Sequence, residues 1–288
     1  LIFFLLMQLH ICHTTQYRYT EALRHTVQTL HLWPMDGPWQ QVQHWRIKSA
    51  LGLVERQDAY GNRVHHGSWA AAPSQILQVL EMVATGVVKT TGVSQWCEPV
   101  SAPHPALWLR SSPMAEPHPR MARWAREVLG DALRDMGCAG HADEPAAVST
   151  VLALAQAVAE KVRYRQGRTQ VDTAALEAFD WGLGVCQDQA HVMVAVCRSL
   201  NVPARYVSGY FFAAQEPDLA SHAWVDVCIN PQRRTWLSVD VTHACPSDER
   251  HVRVATGFDY SSCAPVKGLR RGGGTETLSV DVQIIQNK

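Results

Sequence analysis

Three residues that together can supply a nucleophile, a base and an orienting acid stand at Cys186, His222 and Asp240. Cys186 follows a glycine-bearing loop, Gly182-Leu183-Gly184-Val185, and opens a run through Val192 to Leu200 that is apolar almost all round. A helix without a polar face is a central helix, buried on several sides. A thiol at its start meets unsatisfied backbone N–H groups and the positive end of the helix dipole, and both favour thiolate. The amide of Cys186 is also placed to stabilise an oxyanion, and the glycines let a substrate backbone approach.

His222 lies in an alternating run, with Ala223, Val225, Val227 and Ile229 on one face and His222, Trp224 and Asp226 on the other. A turn at Asn230-Pro231-Gln232 leads to a second run, in which Trp236, Ser238 and Asp240 share a face. If the two runs pair as an antiparallel hairpin, His222 and Asp240 become opposite or diagonal neighbours, within hydrogen-bonding reach. His243 has the wrong strand parity and lies near the strand end. A thiol at a helix start with an imidazole and a carboxylate on paired strands follows triad logic.

Neighbouring candidates are weaker. Asp188 and His191 stand three apart on one predicted helix and are expected to pair with each other. His191 is about 140° around that helix from Cys186, a poor position for a base. Cys197 lies about 16 Å along the helix from Cys186, too far for a disulfide. Trp224 reads as packing. A metal set of His191, His222 and His243 has no ligand spacing to support it. His65-His66 falls on a strand, where neighbours point to opposite faces, and reads as surface.

The elements that must position these residues divide at a proline-rich stretch. Six of the fifteen prolines fall between Pro99 and Pro119, which predicts a linker or extended strap over 99–119. Residues 7–98 read as an all-β module, with runs near 27–32, 42–47 and 76–88 and a turn at Asp58-Ala59-Tyr60-Gly61-Asn62. It holds no acid/base pair that demands chemistry. Residues 120–288 read as helices followed by strands. The spacing predicts helices from Met121 to Met136, from about Asp143 to Val162, and from Cys186 to Leu200. Strands follow at 205–212, 221–229 and 236–241, with a last one through Leu278, Val280, Val282 and Ile284.

Composition sets outer limits. Of 288 residues 47% are hydrophobic and 18% charged, enough to bury a sizeable core. Lys plus Arg and Asp plus Glu both number 26, so no basic excess points to nucleic acid or an anionic membrane. The eight cysteines include no C-x-x-C pair, which predicts a reducing compartment, the cytoplasm by default. The apolar start, Leu1 to Met7, is too short to span a bilayer and lacks signal-peptide features.

The runs Gly184-Val185-Cys186-Gln187-Asp188-Gln189-Ala190-His191, Val202 to Tyr210, Ala220-Ser221-His222-Ala223-Trp224-Val225, Trp236 to Thr242 and His251 to Tyr260 resemble the bacterial transglutaminase-like (cysteine protease) superfamily. Tyr17-Arg18-Tyr19, Leu32-Trp33-Pro34 and Asp58-x-x-Gly61-Asn62 are similar to the β domain that precedes its core. The resemblance implies an α+β, papain-like transglutaminase core behind an all-β N-terminal domain, with Cys186, His222 and Asp240 as the catalytic triad. Two departures stand out: Asp240-Val241-Thr242-His243 replaces Asp-Pro-Thr-Asn, and Phe258 with Ser261-Ser262-Cys263 replaces a more polar pattern.

The resulting expectation is a thiol-dependent amide or peptide hydrolase working through an acyl-thioester. The alternatives are transglutaminase-type transfer to an amine and a catalytically silent peptide-binding module. A peptide or protein amide is the expected partner. No calcium loop or nucleotide fingerprint occurs, so no cofactor is expected.

Overall fold

Alternating burial along the first strands shows why the N-terminal half folds as sheet. In β1 (Met7–Tyr19), Leu9, Ile11, His13 and Thr15 are buried while the residues between them are only partly so, the period-two pattern of a strand with one face on a core. The computed structural model describes residues 6–72, 76–135, 144–213 and 220–286. After β1 come β2 (Leu23–Leu30), β3 (Gln40–Ser49), β4 (Gly52–Gln57), β5 (Arg63–Ala70), β6 (Val79–Thr90) and the short β7 (Gln95–Cys97).

The helical section follows, with α1 (Pro119–Leu129), α2 (Glu144–Lys161), α3 (Ala175–Trp181) and α4 (Cys186–Ser199). A two-residue parallel pair, β8 (Arg163–Tyr164) and β9 (Leu183–Gly184), lies among them. The predicted first helix is shorter than its apolar stripe. Gly130 closes it at φ 54°, and a 3-10 turn over Gly130–Asp135 takes over; Met136 lies outside the described residues. The short α3 has no counterpart among the predicted helices.

The strands that carry the site are β10 (Ala204–Phe211), β11 (Ser221–Asn230), β12 (Thr235–Asp240), β13 (Cys245–Pro246) and β14 (His251–Gly257). They form one sheet in the order β13-β12-β11-β10-β14, with β7 added beside β12. One face packs on the helices: Ala223, Val225, Val227 and Ile229 share a core with Val192, Met193 and Val196 of α4. Nearly every residue of α4 is buried, as its composition requires.

The last strands, β15 (Val266–Gly272) and β16 (Glu276–Gln286), return to the N-terminal half. The sheets there run β16-β1-β6-β3 and β15-β2-β5-β4. Residues 266–286 therefore hydrogen-bond into the β module, although the sequence groups them with 120–288. The two sheets share a core that Tyr210, Val252 and Val254 of β10 and β14 help to close.

The 99–119 stretch is a packed strap. Trp108 is buried, and Arg198 at the end of α4 donates to the carbonyls of Trp108 (3.0 Å) and Ala115 (3.2 Å) and to the Ser112 hydroxyl (3.2 Å). The same guanidinium reaches the carbonyls of Ala204 and Phe258. Prolines leave carbonyls without local N–H partners, and a buried arginine with five donors satisfies several at once.

Candidate active site

Cys186 stands at the first position of α4, behind the extended Val185. Asp188, one turn into the helix, reaches back to accept from the Val185 amide (2.7 Å) and from the Thr169 hydroxyl (2.7 Å). A Cβ on Gly184 would lie 2.6 Å from that of Asp188, so the glycine is what admits this cap. Asp188 does not pair with His191. His191 Nε2 accepts from the Tyr260 amide at 3.0 Å, because its side chain points across to the sheet side of α4. Burial holds His191 down to about 4, so it stays neutral.

β11 and β12 pair as an antiparallel hairpin, with Val225 opposite Val239 and Asp226 opposite Ser238. That register puts Asp240 diagonal to His222, and His222 Nε2 donates to Asp240 Oδ2 at 2.8 Å. Both side chains are inaccessible to solvent. Burial by itself would depress His222, but the Asp240 charge, followed by the Cys186 sulfur, raises it to about 10. Burial opposes ionisation of Asp240, yet the His222 charge and hydrogen bonds from His222, His243 and His251 hold it well below the usual carboxylate range. His222 Nδ1 is buried without a hydrogen-bond partner, and the Cys186 sulfur lines the same cavity. Such contacts are often loose before substrate arrives.

Asp240 has more partners than parity allows for. His243 Nδ1 donates to Oδ2 at 2.6 Å and the His243 amide approaches Oδ1 at 3.3 Å. The chain turns directly after Asp240, with Ala244 at φ 49°, so strand alternation no longer governs where His243 points. His251 Nε2 donates to the same Oδ2 at 3.0 Å, while its Nδ1 accepts from the Asp248 amide at 3.0 Å. His251 lies within a run that carries the family resemblance, but no local pattern connects it with Asp240. Only the β14 position brings it there.

Among the described residues, ligand atoms of His222, Asp240 and His243, without His191, fall within 4.8 Å of one another. His222 Nε2 and His243 Nδ1 each lie at hydrogen-bond distance from Asp240 Oδ2, 2.8 and 2.6 Å. Gln189 ties the two halves of the site together: it donates to the Val162 carbonyl and accepts from the Thr242 hydroxyl at 2.7 Å, two residues past Asp240.

A cavity of about 270 Å³ opens above Cys186 and His222. One wall is Gly209, Tyr206 and Tyr260; the opposite wall comes from the β module, through His13, Thr15, Tyr17, His31, Leu278 and Val280. Gly209 sits at a bulge opposite His222, and a Cβ there would meet the Val252 carbonyl at 2.2 Å and the Trp224 ring at 2.5 Å. Trp224 is packing, as expected. His65 is buried and stacks on Trp33, while His66 alone of that pair is on the surface. Asp226 takes no part in the site: Arg253 grips both its oxygens (2.6 and 2.7 Å) and Arg205 adds a third bond.

Two family models match the chain. The transglutaminase-like superfamily matches residues 137–241, and the bacterial transglutaminase-like N-terminal region matches residues 9–89. An uncharacterized protein of Mycobacterium leprae is 35% identical over 140 residues, which is 46% of this chain and 49% of that protein; the chain thus spans about half of that relative's length. An uncharacterized protein of Mycobacterium bovis is 25% identical over 284 residues, covering 90% of this chain and 86% of the relative. A solved structure from Cytophaga hutchinsonii, described as a candidate cysteine protease, superposes with a TM-score of 0.75 at 20% identity, covering 99% of this chain and 92% of that one. At that identity the likeness is one of fold.

Proposed function

Starting from a chain that belongs to the transglutaminase-like superfamily and carries its bacterial N-terminal region, we propose that the protein is a thiol enzyme acting on peptide or protein amides through a papain-like Cys186-His222-Asp240 triad. The observation that carries this reading is the shared cavity of Cys186 and His222, with the 2.8 Å bond from His222 to a fully buried Asp240. A thiol at a helix start beside an imidazole that prefers its protonated form is a nucleophile with an acid at hand.

With its proton already on His222, the Cys186 sulfur attacks the amide carbonyl carbon, and the Cys186 amide at the helix start donates to the oxyanion. His222 gives its proton to the leaving amine as the C–N bond breaks, which leaves a thioester. Water then enters, His222 takes its proton, and attack on the thioester carbon releases a carboxylic acid and the free thiol. Asp240 keeps the His222 ring oriented throughout. Hydrolysis is favoured over amine transfer because no acidic track for docking an amine lines the cavity among the described residues.

The test is to trap an acyl-Cys186 adduct and identify it by mass spectrometry. Turnover of a peptide amide is then followed with and without millimolar primary amine. Carboxylic acid as the main product supports the hydrolase. Dominant amide-linked product at low amine makes it a transferase. No adduct and no product, with Cys186 unreactive, leaves a binding module.

A further inference from the structure

On the reading of a Cys186 acyl enzyme, we infer that the substrate residue beside the scissile amide is uncharged and apolar or aromatic, and that it is held by the open end of the β1/β16 face. The cross-strand pairs Ile11–Ile284, His13–Val282, Thr15–Val280 and Tyr17–Leu278 lie on one face of the sheet, in that order. Ile284 and Val282 pack on the shared core of the β module. Val280 and Leu278, next along the same strand face, are each left 52% exposed, where the cavity above Cys186 begins. The same side-chain chemistry on the same face is covered at one end and uncovered at the other. What is missing at the uncovered end is an apolar partner.

The rest of the wall is consistent with that occupant. Val254, Val266 and the rings of Tyr206 and Tyr260 line the cavity, and no Asp, Glu, Lys or Arg does among the described residues. The two β-module histidines facing it are neutral near pH 7. Burial lowers His13 to about 4, with Tyr210 hydroxyl and Nδ1 2.9 Å apart, and burial likewise lowers His31, which donates from Nδ1 to the Ala264 carbonyl. A basic substrate side chain would enter without a counter-charge, and an acidic one would find only His222, whose charge Asp240 already balances at 2.8 Å; either would lose its hydration. The β module thus selects substrate without entering the chemistry.

The experiment uses the full chain and four peptidyl chloromethyl ketones that differ only in the residue beside the ketone: phenylalanine, leucine, aspartate or lysine. Alkylation of Cys186 is followed by peptide mass spectrometry. The phenylalanine and leucine probes are expected to react at least about ten-fold faster than the charged pair, the range a hydrophobic subsite provides. In Leu278→Thr/Val280→Thr, that advantage should fall by about five-fold. Charged probes that react as fast as the apolar ones overturn the proposal, as does an advantage unchanged in the double variant. Iodoacetamide is the control for the underlying reading. If it labels the exposed Cys97 but spares Cys186 in the unmutated chain, the thiol-enzyme reading fails and this proposal with it.

Discussion

His243 Nδ1 lies 2.6 Å from Asp240 Oδ2, closer than His222 Nε2 at 2.8 Å or His251 Nε2 at 3.0 Å. Three imidazoles thus converge on a single oxygen of a carboxylate that has no exposure of its own. The buried arms of this arrangement, His222 and His251, fix the geometry, whereas His243 has 31% of its side chain exposed.

The three partners are therefore unequal. Asp240→Asn is expected to lower turnover of a peptide amide by roughly 10²–10⁴-fold with the fold retained, since the carboxylate charge that holds the imidazole protonated and oriented is gone. His243→Ala should cost no more than about ten-fold, because His251 still anchors Asp240 and water can replace an exposed donor. Steady-state kinetics on the two variants decide the matter. A larger loss in His243→Ala would move the orienting role to His243.

The His222–Asp240 pair also makes stability depend on pH. His222 is raised from 6.5 to about 10 in the folded protein. Its stabilising contribution is complete below the unfolded value, declines as pH rises above it, and is lost once pH passes the folded value. Asp240 is depressed, so its contribution is present above its unfolded value and disappears as pH falls through the folded one. In urea unfolding, the stability gap between the native chain and His222→Gln should be widest near pH 6 and shrink towards about pH 10. A gap that widens with pH would contradict the assigned proton.

Thiol reactivity should sort by burial. Burial pushes Cys197 and Cys228 up to about 12, Cys245 up to about 11, and Cys263 well above its ordinary value. Brief iodoacetamide treatment of the native protein should modify Cys186 and the exposed Cys97 and leave these four intact. Mass mapping gives the order directly. Rapid modification of Cys197 or Cys263 would mean that the core around α4 opens.

Arg198 should matter more to stability than its distance from Cys186 suggests. It is 5% exposed and holds the strap through the Trp108 and Ala115 carbonyls and the Ser112 hydroxyl. Arg198→Met is expected to lower unfolding stability by about 2–4 kcal/mol, since buried acceptors lose charged donors. Limited proteolysis should then cut within 99–115. Unchanged denaturation with an intact strap would make the arginine dispensable.

Much of this protein is decided by local pattern. Period-two alternation marks β11 and β12, and together with the Asn230-Pro231 turn it places His222 and Asp240 on one face as opposite or diagonal neighbours; the pairing of Val225 with Val239 makes them diagonal. The all-apolar run after Cys186 marks α4 as central, and the glycines before it mark its start. These signals are short-range: a helix or hairpin face depends on residues a few positions apart, so the sequence carries it by itself. Tertiary structure alone decided the rest. His251 reaches Asp240 only because β14 joins the sheet beyond β10, and His243 does so because a turn cancels strand parity. The alternation of Leu278, Val280, Val282 and Ile284 reads as one more amphipathic strand, but pairing with β1 carries Leu278 and Val280 over the cavity of a thiol about ninety positions earlier. Which edge a strand joins depends on the summed packing of a whole face, and no run of neighbouring residues encodes that sum.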